Sequence, residues 1–130
     1  MNYKRLGRSG VKVSEICLGT AFRGQKDDLV CEKVIHRALE LGCNFLDCAN
    51  YYGQGRSETI VGKALKGVRD DVVLTSKVWS PMGEGPNDRG TSRFSIVREV
   101  DRSLKRLQTD HIDIYLLHNI DADVPTDETL

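Results

Sequence analysis

The apolar positions of this chain follow two alternating spacings. Four short runs rich in β-forming residues, EICLG at 15–19, NFLDCA at 44–49, DVVLTSK at 71–77 and IDIYLLH at 112–118, have strand length and are bounded by turn formers. Between them the apolar spacing widens to helical. After Asp27 and Asp28, which suit an N-cap and first turn, Leu29, Val30, Val34, Ile35, Ala38 and Leu41 form one face, and Gly42 stops the helix. A second helix is expected near Ser57, with Glu58 in its first turn and Ile60, Val61, Ala64 and Leu65 on its apolar side, ending at Gly67. A third is expected from Ser92 or Ser95, with Ile96, Val97, Val100, Leu104 and Leu107 on one face and Arg98, Arg102, Lys105 and Arg106 on the other. Ahead of all these, YKRL and VKVS flank the turn GRSG, which predicts a β-hairpin over residues 1–13.

Strand and helix alternating in this way make a run of βαβ units, whose right-handed crossovers give a parallel sheet. A doubly wound dinucleotide fold would carry G-x-G-x-x-G after its first strand; GTAFRGQ stands there instead. That weakens the doubly wound closure against the other α/β closure, a (β/α)₈ TIM-type barrel, in which residues 14–130 would supply the first four βα units as one unit with the hairpin. Such a barrel needs about 250 residues, and this chain stops after VPTDETL, where Thr126 reads as the N-cap of a fourth helix. A fragment of a longer barrel is the expectation.

Charge narrows the partners. The chain has 19 basic and 19 acidic side chains in 130 residues with no block of one sign, so neither nucleic acid nor an anionic membrane surface is expected. No apolar run reaches signal-peptide or membrane-span length, and a cytoplasmic setting follows as the expectation. Cys17, Cys31, Cys43 and Cys48 form no C-x-x-C pair and read as buried thiols rather than metal ligands.

In a barrel of this type chemistry collects where strands end. Gly19 and Thr20 follow the first strand, Asp47 lies at the end of the second, Lys77 ends the third and His118 the fourth, with Tyr52 on the loop after Asp47. Each alone has a structural explanation, a solvated edge lysine or a satisfied histidine. Together they suit proton transfer. An ammonium held by Asp47 between the carboxylate and Tyr52 would stabilise a phenolate and lower the tyrosine pKa from about 10. That phenol could protonate a carbonyl oxygen while His118 hydrogen-bonds to it.

In order along the chain, LGRSGVKVSEICLGT, NFLDCANYYGQGRSETIVGKAL, VVLTSKVW, MGEGPNDRG and SLKRLQTDHIDIYLLHNIDADVPTDETL resemble the landmarks of the aldo-keto reductases. The last two are similar to the branch that holds bacterial reductases and potassium-channel β subunits. The resemblance implies a catalytic tetrad of Asp47, Tyr52, Lys77 and His118 and NADPH-dependent reduction of aldehydes or ketones, with Tyr52 as the acid. Gly19, Thr20 and Asp47 would meet the nicotinamide side of the cofactor, the rest of whose site lies in the later loops of the family. D-x-A-x-x-Y-G, met by DCANYYG, selects Tyr52 over Tyr51. Trp79 either lines the carbonyl-binding mouth or packs on the rim, and Cys48 stands where the family often has threonine. His118 favours the reductases over channel β subunits that lack it. The alternative is an inactive half-barrel serving as a binding or scaffolding subunit, with self-association through its unpaired edges.

Overall fold

The computed structural model describes residues 1–130. An antiparallel hairpin of β1 (Tyr3–Arg5) and β2 (Lys12–Ser14) leads into β3 (Leu18–Gly19), α1 (Asp28–Glu40), β4 (Phe45–Asp47), α2 (Arg56–Ala64), β5 (Val73–Val78), α3 (Arg93–Leu107), β6 (Ile114–Leu117) and α4 (Thr126–Thr129). The last four strands form one parallel sheet in the order β3-β4-β5-β6. This is the start of a (β/α)₈ barrel, as expected: every crossover returns to a neighbouring strand and all strand C-termini share one edge.

The hairpin seats on the opposite end of the sheet. Asn44, just before β4, accepts from the Ser14 N–H at 2.7 Å and donates to the Lys12 carbonyl at 3.1 Å, and the Tyr3 hydroxyl donates to the Gly42 carbonyl at 2.8 Å. The pairing extends to Ser14, one residue past the expected boundary, because Ser14 is the strand partner of Tyr3.

The core lies between sheet and helices. Ile35 from α1, Leu46 from β4, Ile60 and Val61 from α2, Leu74 from β5 and Leu107 from α3 belong to one buried cluster. Each such side chain contributes about 1.5–3 kcal/mol when fully buried. Gly62 lets α2 and α3 meet: a Cβ there would stand 2.4 Å from the Leu107 carbonyl oxygen.

Several local expectations shift. The strands are shorter than their apolar runs, and Arg69–Asp71 forms a 3₁₀ turn ahead of β5. Asp27 caps α1, accepting from the Leu29 and Val30 N–H groups, and Ser92 rather than Ser95 caps α3. Ser57 caps nothing, since α2 starts at Arg56 behind the left-handed Gly55, φ 92°. Pro125, not Thr126, takes the N-cap position of α4, where its ring fixes a suitable φ. Cys31, Cys43 and Cys48 are buried as expected but Cys17 is exposed, because it precedes a two-residue edge strand paired on one side only. The largest change is in α3. Its buried positions are Ser95, Glu99, Ser103 and Leu107, while Val97 is exposed; the face turned to α2 and β5 is mostly polar.

Candidate active site

Parallel register brings the strand ends together. Gly19 pairs with Asp47 and Asp47 with Thr75, so Lys77 lies two residues further toward the C-terminal edge, opposite Leu116 of β6. Side chains alternate along β5: Leu74 and Ser76 face the helices, and Lys77 faces the other side. Beyond β6, the His118 N–H donates to the Val78 carbonyl at 2.8 Å, which carries the ladder one residue further and holds His118 at the same edge.

Lys77 is the centre. Its ammonium donates to Asp47 Oδ1 at 2.6 Å, to the Cys48 carbonyl at 2.7 Å and to the Tyr52 hydroxyl oxygen at 3.2 Å. Those are all the protons an ammonium has to give. The Lys77 side chain is 10% exposed and that of Asp47 32%, so the ion pair lies at the wet margin of a dry floor. The Asp47 carboxylate at the end of β4 thus has its cation, at the distance of a charge-assisted hydrogen bond.

Tyr52 is held over Lys77 by a tight turn. Gly53, Gln54 and Gly55 all take positive φ, at 63°, 52° and 92°, and the Ser57 N–H donates to the Tyr52 carbonyl at 3.1 Å. Tyr51, next to it, is 45% exposed and contributes no contact to Lys77. The ring of His118 lies 5.7 Å from that of Tyr52, edge to face at 78°. Burial of His118 lowers its pKa below the usual value, and the Lys77 charge lowers it further against a smaller opposing pull from Asp47. A neutral imidazole carries one N–H donor and one acceptor. Asp47, Tyr52, Lys77 and His118 therefore converge.

Gly19 and Thr20 fall into different roles. Gly19 is exposed, with no atom within 4 Å of where a Cβ would stand. Thr20 is fully buried, and its hydroxyl is committed to the Asp47 carbonyl at 3.0 Å and to Ser57 at 2.9 Å. Ser57, read from sequence as a helix start, donates instead to the Thr20 carbonyl at 2.6 Å and lies 3.2 Å from the Cys48 sulfur. It ties the ends of β3 and β4 to the Tyr52 turn. A serine followed by glutamate at a helix start reads as a cap, so the sequence held no signal for this role. Burial pushes the Cys48 thiol up to about 11, and it stays protonated at neutral pH.

Trp79 leaves β5 with φ 137°, an uncommon backbone for a bulky residue, and the Gly90 N–H returns to its carbonyl at 2.8 Å. Arg89 lies 5.6 Å from its ring, so Trp79 is half-buried at the rim beneath the loop at 80–90. Asp88 organises that loop, accepting from the Gly85 N–H at 3.0 Å and from Arg98 at 2.7 Å. The Gly85 N–H, then Arg102, holds its carboxyl below the usual range. A cavity of about 370 Å³ lined by Leu65, Arg69, Leu107 and His111 lies at the opposite end, before β5 and β6, and touches none of the four converging residues.

Residues 15–130 match the family model described as the Aldo/keto reductase family. The chain is 45% identical to the "uncharacterized oxidoreductase YrpG" of Bacillus subtilis (strain 168), covering 98% of this chain and 43% of that protein. It is 40% identical to a "probable voltage-gated potassium channel subunit beta" of Oryza sativa subsp. japonica, covering 100% and 41% respectively. Among solved structures, aldo-keto reductase AKR11C1 from Bacillus halodurans, in its holo form, superposes with a TM-score of 0.90 at 42% identity, over 99% of this chain and 44% of that one. The chain spans less than half the length of the curated relatives it matches.

Proposed function

This chain belongs to the aldo/keto reductase family of oxidoreductases, and on that premise we propose that it carries the proton-transfer machinery of an NADPH-dependent reduction of aldehydes and ketones to alcohols. The observation that carries the proposal is the single ammonium of Lys77, shared among Asp47, the Cys48 carbonyl and Tyr52. Asp47 and Cys48 fix the ammonium, and the ammonium offers its remaining proton to the Tyr52 oxygen. As the Tyr52 proton passes to the carbonyl oxygen, the negative charge left on the phenol oxygen develops 3.2 Å from a fixed cation. Neutral His118, beside Tyr52, donates a hydrogen bond to the same carbonyl oxygen and sets its orientation.

A bound NADPH would supply the hydride. The residues present fit its nicotinamide end: Gly19 is open on the side where a ring could approach, Asp47 is partly exposed beside it, and Thr20 and Ser57 brace both from behind. The small carbonyl compound would approach past Trp79. We place the protein in the cytoplasm; no helix is long and apolar enough to cross a membrane.

Titrating the purified chain with NADPH by fluorescence, with its mass in solution recorded on the same sample, tests the cofactor. Saturable binding and carbonyl turnover that Tyr52→Phe abolishes are expected; turnover unchanged by that variant refutes Tyr52 as the acid. A second reading, a non-catalytic subunit, is favoured by the likeness to the rice potassium-channel β protein. It predicts no NADPH turnover. In the isolated 130-residue chain β3 and β6 are each paired on one side, the latter with exposed Leu116 and Leu117; we propose that this chain self-associates along those edges, and a monomeric mass counts against that.

A further inference from the structure

Glu58 has a side chain with no exposed surface, and it faces away from the converging residues. Its Oε1 accepts from the Ser76 hydroxyl at 2.6 Å, and its Oε2 accepts from Arg106 Nε at 2.6 Å. Arg106 Nη2 donates in turn to Glu99 at 2.6 Å and to Ser103 at 3.2 Å. A charged layer of this kind is a poor way to gain stability, since well-packed apolar residues do as well or better. What it fixes is geometry. Ser76 is the residue before Lys77, and Glu58 lies six residues after Tyr52 on the helix that the Tyr52 turn begins. Arg106 also lies across the turn itself: a Cβ on Gly55 would stand 2.6 Å from Arg106 Cδ.

We propose that the buried Glu58–Arg106–Glu99 network is a positioning device for the acid, locking the Tyr52 turn from α2 and α3 to the strand that presents Lys77. Lys77 and Tyr52 are drawn together by one hydrogen bond of 3.2 Å on the site side; the network sets the same spacing from the helix side. Its hydrogen bonds run among Glu58, Ser76, Arg106, Glu99 and Ser103, and none goes to Asp47, Tyr52, Lys77 or His118. The inference rests on the assignment of Tyr52 and Lys77 given above, and its test needs no turnover.

The variant is Glu58→Gln with Arg106→Met, which removes both charges of the central pair and keeps the volumes. Folding is followed by circular dichroism, and Tyr52 by the NMR signal of its ring carbon bearing oxygen in chain labelled with ¹³C-tyrosine, assigned with Tyr52→Phe. The folded double variant is expected to move the Tyr52 signal toward its position in Lys77→Met, and to move it no further in a Lys77→Met background. A Tyr52 signal unmoved in the folded variant overturns the proposal. So does an equal shift in both backgrounds, which means general loosening. If the double variant does not fold, Arg106→Lys is read the same way, because a lysine keeps a cation for Glu58 without the fork that also reaches Glu99 and Ser103. Failure of the Tyr52 assignment is separate: it appears as a Tyr52 signal indifferent to Lys77→Met in the parent chain.

Discussion

Replacing Lys77 by methionine removes the cation while keeping most of the stem volume, so the loss is electrostatic rather than a cavity. At 2.6 Å the Lys77–Asp47 attraction is about 6 kcal/mol gross for an effective dielectric near 20. Desolvation of the pair offsets much of that, and removing one partner of a buried pair typically costs about 3–5 kcal/mol. Asp47 keeps 32% of its side chain in water, which solvates the abandoned carboxylate and brings the expectation to about 2–3 kcal/mol. The Cys48 carbonyl loses its 2.7 Å donor as well, which favours the upper end. For a chain of this size, about 2–3 kcal/mol lowers the melting temperature by about 6–15 °C. The assay is urea unfolding of Lys77→Met, Asp47→Asn and the double variant. Because the Asp47 charge is what Lys77 leaves stranded, the double variant should be no less stable than Lys77→Met alone. Single-variant losses that add to within about 0.5 kcal/mol would show two uncoupled residues and refute the shared ammonium.

Three further outcomes are expected. His118 should titrate by NMR below the ordinary histidine value of about 6.5, and Lys77→Met should raise its midpoint, since the Lys77 charge is one of the two causes of the depression; a midpoint unmoved by that variant leaves burial as the only cause. The same depression means that the unfolded chain binds the His118 proton first, so its contribution to stability is present above the unfolded value and is lost as pH falls through the folded one, which unfolding curves through that acid window should record and His118→Asn should remove. Gly62→Ala should cost about 1–3 kcal/mol, because its methyl would meet the Leu107 carbonyl at 2.4 Å and force α2 from α3; an unchanged urea midpoint would show that the two helices part without strain.

The four converging residues were legible because each stands at a strand end or on the turn after it. Parallel pairing turns four separate positions in sequence into one edge in space, and the ladder from Gly19 through Asp47 and Thr75 to Ile114 fixes their height. Period-two alternation then decides that Lys77 and Ser76 face opposite sides. Strand lengths were overestimated for a related reason. An apolar run marks what is buried, whereas a ladder marks what is paired, and Ile16 and Cys17 are neither buried nor paired.

Helix α3 shows where hydrophobic periodicity finds only part of the buried face. Of the stripe Ile96, Val97, Val100, Leu104 and Leu107, Leu107 is buried in the core, Val97 is exposed and the other three are half-buried, whereas Ser95, Glu99 and Ser103, spaced by four, are what the sheet and α2 cover. Patterning weighs each residue by its own transfer from water and has no means to represent a charge cancelled by a partner 48 positions away, as the Arg106 charge is by Glu58. Burying two glutamates beside serines is affordable only if a guanidinium reaches both carboxylates, and Arg106 does so because Gly55 leaves room for its stem. The glycine, the glutamate three residues after it and the arginine on the next helix are thus one structural unit. Read separately, they look like a turn, a first-turn acid and a solvated charge.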